Sequence, residues 1–237
     1  MVPVGRALVG ALVALAGALV ALTAGPGLHP VSWCVGVGAG ALVVLAVARA
    51  GSHEGHLTPA DLVTLTRVML ACAVAALVVE SWLGRPATLP LVALATIALV
   101  LDAVDGRVAR ATRRTTGFGA RFDGEADAFL LLVVSAHVAV THGAWVLAIG
   151  LARYVFWAAG SIWPWLRHPL PRRDWRKVVT AVQGIVLVVA AADVAPRAVV
   201  VTALAGALAL LAESFGRDVW WLVRHRHGVR LVGVSSP

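Results

Sequence analysis

The stretch LDAVDGRVARATRRTTGFGARFDGEAD, Leu101 to Asp127, gathers Asp102, Asp105, Asp123, Glu125 and Asp127, five of the chain's 12 acidic residues, at the junction of two apolar runs. The runs on either side, about 87–111 and 120–141, have the length a helix needs to cross the hydrocarbon core of a bilayer. Charged groups at that depth are costly, and they are kept where they line a polar cavity, pair with something or hold a metal. Two membrane helices that meet in a charged turn are therefore the first expectation.

The same pattern extends outward in both directions. Further apolar runs fall at about 7–24, 31–48, 62–83, 143–166, 177–193 and 198–216, which makes eight candidate helices. Short connections separate them, such as Gly25-Pro26-Gly27, Arg85-Pro86 and Thr141-His142-Gly143, and leave no room for a separate soluble domain. Composition agrees: 60% of the 237 residues are hydrophobic and 14% charged, where a soluble domain carries about 25% charge. Mean hydropathy is +0.88. A soluble globule, a disordered chain and a disulfide scaffold with only two cysteines are all excluded. The expectation is an all-α polytopic membrane protein, divided into an N-terminal transmembrane hairpin (1–50), a membrane domain (51–216) and a basic tail (217–237). The first apolar run resembles a secretory signal, but its cleavage pattern is weak and a second run follows at once, so it is expected to stay attached. Gly36 and Gly40 in the hairpin suit close helix packing.

Lys177 is the one lysine among 20 basic residues, and nearly all the arginines fall in one set of loops. The opposite set holds only Arg85 and Arg197. By the positive-inside rule both termini and the acidic junction face the cytoplasm, in the cell (inner) membrane. The +8 net charge is explained by these loops and by anionic headgroups, and no aromatic-basic module points to nucleic acid.

Helical spacing gives the acidic junction a geometry. Asp102, Asp105, Gly106 and Ala109 lie at i, i+3, i+4 and i+7 and share one face; Asp123 and Asp127 share another. A tight turn between antiparallel helices brings the four aspartates to one place, where mutual repulsion asks for a cation. Carboxylate oxygens with no cysteine or histidine beside them suit magnesium, with manganese the alternative. Gly106, Ala109 and Gly119 clear space for a ligand, and Arg110 stands beside it ready for a phosphate. Together these describe a pyrophosphate site. Two other readings remain at this point: the acids pair with Arg107, Arg110, Arg113, Arg114 and Arg121 in a solvated loop, or they form the ion site of a transporter or channel.

The ordered residues read Asp102-x2-Asp105-Gly106-x2-Ala109-Arg110-x8-Gly119-x3-Asp123-x3-Asp127, which resembles at every specified position the signature of the CDP-alcohol phosphatidyltransferase family. Asp61-x2-Thr64-x2-Arg67 and Lys177-x2-Thr180-x2-Gln183 resemble two further family elements, with Asp61 where asparagine is usual and Arg176 where glycine is usual. The likeness spans roughly 58–216 and implies a six-helix core to which the N-terminal hairpin is additional. It implies a magnesium-dependent enzyme of phospholipid synthesis, with two ions, a CDP-alcohol donor such as CDP-diacylglycerol, a small polar or lipid acceptor, release of CMP, and a homodimer among membrane lipids. It also implies roles: Asp102, Asp105 and Asp123 as principal metal ligands, Asp127 as ligand and general base, and Gly106, Ala109, Arg110 and Gly119 as the nucleotide and pyrophosphate cradle. Arg121, Arg153 and Lys177 are candidates for holding a phosphate of the acceptor; for Arg153, which falls within a span, snorkelling to the headgroups is the competing reading.

Overall fold

The computed structural model describes residues 2–51, 56–85, 87–112, 117–168 and 174–225, with side chains described except at 51, 103–112, 167, 174 and 225. Among the described residues there are eight α-helices: α1 (Val4–Ala24), α2 (Pro30–Gly51), α3 (Pro59–Trp82), α4 (Thr88–Thr112), α5 (Gly117–His142), α6 (Leu147–Ile162), α7 (Asp174–Ala192) and α8 (Arg197–His225). Seven of them contain stretches long and apolar enough to cross a membrane, and Thr88–Asp102 in α4 is a shorter apolar helix. The chain is a polytopic membrane protein, as its composition requires, since a helix satisfies its own backbone where no water is available.

The boundaries depart from the apolar runs at α6 and α8. The run at 143–166 is broken into a 3-10 turn at Ala144–Val146, α6 itself, and a second 3-10 turn at Pro164–Arg167, because Pro164 has no N–H with which to continue α6. α8 continues past the last apolar residues to His225, and the reason lies in its polar pairs: Arg217 bridges Glu213 one turn back at 2.9 Å, and Asp218 accepts from Arg176 of α7 at 2.8 Å. A two-residue antiparallel ribbon, β1 (Val2–Pro3) on β2 (His56–Leu57), ties the start of the chain to the entrance of α3; no sequence pattern announced it.

α3 is the centre of the bundle and packs against α1, α2, α4 and α5. Its middle is built from Ala71, Cys72, Ala73, Val74, Ala76 and Leu77, all fully buried, and small side chains of this kind let helices approach where no hydrophobic force drives them together in lipid. It begins in a capping box: the Asp61 carboxylate accepts from the Thr58 N–H and hydroxyl at 2.8 Å, the Thr58 hydroxyl accepts from the Asp61 N–H at 3.2 Å, and Pro59 follows the cap. Asp61, which stands where the resembled element has asparagine, is thus occupied in starting the helix.

The N-terminal hairpin docks on α3 through α2. A Cβ at Gly40 would fall 2.3 Å from Leu15 Cδ2 of α1, and one at Gly36 would fall 3.2 Å from Ala76 Cβ of α3, so both glycines sit at close helix crossings. Glu80, whose place near a span end suggests contact with interfacial water, is instead 1% exposed. Its carboxylate accepts from the His29 N–H at 2.8 Å and the Ser32 hydroxyl at 2.6 Å, which fastens the turn between α1 and α2 to the far end of α3. His137 lies near that end and shares a 3.2 Å hydrogen bond with Ser81, joining α5 to α3.

Candidate active site

Three helices converge at the end of the bundle where α3 and α5 begin and α4 ends. α4 brings Asp102, and α5 brings Asp123 and Asp127 on one face, as their four-residue spacing requires. Each of the three offers a carboxylate oxygen, and these oxygens lie within 4.8 Å of one another. Asp105, Gly106, Ala109 and Arg110 follow Asp102 along the last turns of α4, and their side chains lie outside the described residues. Gly119 is one turn before Asp123 on α5, half-buried.

The floor of the cluster is Arg67 of α3. Its guanidinium is 2% exposed, whereas the Asp102, Asp123 and Asp127 side chains are 39%, 43% and 23% exposed. One guanidinium nitrogen donates to Asp123 at 2.6 Å and reaches Asp102 at 2.9 Å; the other donates to Asp127, and Nε donates to the Ala98 carbonyl of α4 at 3.3 Å. One planar fork therefore sets the spacing of carboxylates from two different helices, a role that suits arginine and not lysine. Sequence reasoning assigned Arg67 no role, although an arginine inside an apolar run was itself a signal.

These residues fit a hard cation. Three carboxylates against one guanidinium leave two negative charges among the four side chains, equal to the charge of one divalent ion, and every donor is oxygen. The partly exposed aspartates face the opening while the arginine closes the bottom, so an ion and a phosphate have an approach from the aqueous side. Lys177, exposed near the start of α7, is within electrostatic reach of Asp102.

The other two candidates for an acceptor site lie on the opposite flank of α5. Arg121 is exposed in the first turns of that helix and lines a cleft that it shares with Glu125 and with Tyr154 of α6. Arg153 of α6 is 46% exposed and donates to Glu125 at 2.8 Å and 3.2 Å. It passes over Gly124, where an added Cβ would stand 3.0 Å from the guanidinium, so α5 holds Arg153 in place from two adjacent residues. Glu125, counted in the acidic cluster by sequence, faces away from the aspartates to make this pairing. Arg176, the other departure from the family pattern, pairs with Asp218 of α8, which is buried.

A model of the CDP-alcohol phosphatidyltransferase family matches residues 57–212, which run from the entrance of α3 to the middle of α8 and leave the N-terminal hairpin outside. No curated protein and no solved structure matches the chain.

Proposed function

Since the chain belongs to the CDP-alcohol phosphatidyltransferase family, an enzyme family of phospholipid synthesis, we propose that it transfers a phosphatidyl group from CDP-diacylglycerol to an acceptor hydroxyl and releases CMP. The observation that carries this reading is the convergence of Asp102, Asp123 and Asp127 on one place around a buried arginine. The family membership sets aside the transport reading of the acidic cluster.

Asp102, Asp105, Asp123 and Asp127 would hold two magnesium ions, which when bound neutralise charge on the transferring and leaving oxygens. Gly106, Ala109, Arg110 and Gly119 form the cradle of the nucleotide and pyrophosphate. Asp127 is the general base: the acceptor oxygen forms the new bond to phosphorus, the bond from phosphorus to the CMP oxygen breaks with its electron pair leaving on CMP, and the hydroxyl proton passes to the carboxylate. Arg67 keeps the aspartates at their spacing, and positioning of this kind supplies most of the catalysis in phosphoryl transfer. Arg121 and Arg153 on one flank of α5, and Lys177 near Asp102, are the candidates for holding the acceptor's phosphate. The arginine-rich loops support a cytoplasmic active site and cytoplasmic termini. The domain division at 50 and 216 and a homodimer complete the reading.

Its test is CMP release by the purified protein with magnesium and CDP-diacylglycerol across a panel of acceptors, beside the variant Asp127→Asn. The variant should bind CDP-diacylglycerol and show no turnover; full activity would remove Asp127 from its role.

A further inference from the structure

The N-terminal hairpin lies outside the family match, yet it completes a cavity beside the aspartates. Val43, Ala46, Val47 and Ala50 stand on one face of α2, at i, i+3, i+4 and i+7, and form one wall of a cleft of about 460 Å³. This is within the size range of sites that enclose a small ligand, about 300–1,000 Å³. The opposite wall is α5, where Phe118 and Phe122 stack with ring centroids 5.6 Å apart and Ala126 and Phe129 continue the apolar lining. Val68 of α3 adds to the apolar lining, Arg121, Glu125 and Tyr154 are its polar residues, and Glu125 carries the Arg153 guanidinium at 2.8 Å. A second groove of about 500 Å³, between α6 and α8, is lined by apolar side chains throughout. The α2 cleft differs in having one basic side chain, Arg121, on its lining and the Arg153–Glu125 pair at its edge, and an apolar cavity of that design matches a molecule with a greasy chain and an anionic head.

Its placement selects the reactant. Phe122 and Ala126 immediately precede Asp123 and Asp127, so the cleft runs along the same two turns of α5 that carry the aspartates, about 100° around the helix. Among the described residues its lining comes from α2, α3, α5 and α6. The nucleotide cradle of the proposed reaction is on α4, with Gly119 on the first turn of α5. Attack and departure in phosphoryl transfer are roughly in line, so the acceptor approaches from the side opposite the leaving CMP.

We propose that this cleft binds the apolar chain of an amphiphilic acceptor, a lipid whose headgroup phosphate meets Arg121 and the Arg153–Glu125 pair and whose hydroxyl is thereby presented to the aspartates. The inference rests on the transferase reading above and adds the acceptor's class to it. It also gives the hairpin a function, as the wall that encloses the acceptor's chain. Bond making and breaking are those already written for an acceptor hydroxyl.

The test compares two acceptors of like head chemistry, glycerol 3-phosphate and lysophosphatidylglycerol, with the full-length protein in detergent, magnesium and CDP-diacylglycerol. The expected result is CMP release with the lysolipid, rising with its chain length, and little with glycerol 3-phosphate. Ala46→Trp, an exposed α2 position that faces the cleft, should raise KM for the lysolipid about tenfold, equivalent to losing the burial of roughly two methylene groups. It should leave kcat and the affinity for CDP-diacylglycerol unchanged, and it should weaken lysolipid binding measured without donor. Release with glycerol 3-phosphate and none with the lysolipid overturns the proposal and leaves the transferase standing. A rise in KM for the donor in Ala46→Trp also overturns it, by assigning the cleft to the donor's chains. Absence of CMP release with every acceptor, together with no binding of any CDP compound, removes the transferase reading itself and this proposal with it.

Discussion

Replacing Arg67 with methionine keeps the length of the side chain and removes a buried cation that bonds three aspartates. The wild-type guanidinium donates to Asp123 at 2.6 Å, reaches Asp102 at 2.9 Å and also bonds Asp127 and the Ala98 carbonyl. Breaking a buried ion pair by deleting one partner costs about 3–5 kcal/mol, because the other charge is left behind. Here the partners are 23–43% exposed and regain part of their hydration, which lowers the expectation to about 2–4 kcal/mol. For a chain of this size that corresponds to a fall of roughly 5–15 °C in the unfolding midpoint. The assay is thermal unfolding of the purified protein in detergent, run with EDTA and again with magnesium. Without Arg67 the three carboxylates lose the positive charge that offsets their mutual repulsion, so a divalent cation has more repulsion to relieve. Magnesium should therefore recover more stability in the variant than it adds to the wild type; a ligand at a hundred times its Kd adds about 2.7 kcal/mol. An equal loss in EDTA and in magnesium would refute the idea that these carboxylates form a cation site, and no loss at all would refute the clamp.

Two further substitutions probe the parts that hold the site. Gly150→Ala should destabilise the protein by about 1–3 kcal/mol, since the new Cβ would fall 2.3 Å from the Ser135 hydroxyl oxygen and 2.5 Å from the Leu132 Cα, and backbone does not yield as a side chain does. By forcing α6 from α5 it should also separate Arg153 from Glu125 and raise KM for the acceptor more than for the donor; unchanged melting and kinetics would contradict the close crossing. Glu80→Ala leaves the His29 N–H and the Ser32 hydroxyl without their acceptor, at about 1–3 kcal/mol for the buried Ser32 hydroxyl and less for the part-buried His29 N–H. Amide hydrogen exchange should accelerate in the turn between α1 and α2, and unaltered protection there would show that Glu80 does not fasten the hairpin.

What could be read from the sequence, and what could not, follows from the solvent. In a bilayer the backbone has almost no alternative to a helix, so the number of spans follows from counting apolar runs. Their ends do not, because polar residues that look like stop signals become helix residues once they find partners across the bundle. α8 shows this: Arg217, Asp218 and Arg224 lie beyond the apolar run, yet the first two have the pairings already described and the Arg224 guanidinium lies 3.8 Å from the centroid of Trp220, so the helix continues. The aspartates were legible for a different reason. Asp123 and Asp127 share a face by helical arithmetic alone, and a short turn back to α4 leaves Asp102 little choice of neighbour.

The direction of a face is set by what packs against it, and that information is spread over distant segments. Arg67 lies 35 residues before the first aspartate it binds, and Glu125, between two site aspartates in sequence, points instead to an arginine 28 residues later. A period of 3.6 residues separates Glu125 from its neighbours' face, but it does not say whether that second face meets water, lipid or another helix. Both cases share a trait that sequence does display: an ionisable residue inside a span carries a desolvation cost that only a partner offsets. Arg67, Glu80 and Arg153 all stand in that position, and each has its partner on a different helix or in a loop between helices. In a chain this apolar, the charged residues within the spans mark the inter-helix contacts that build the site, so each of them is a more specific guide to packing than the apolar residues around it.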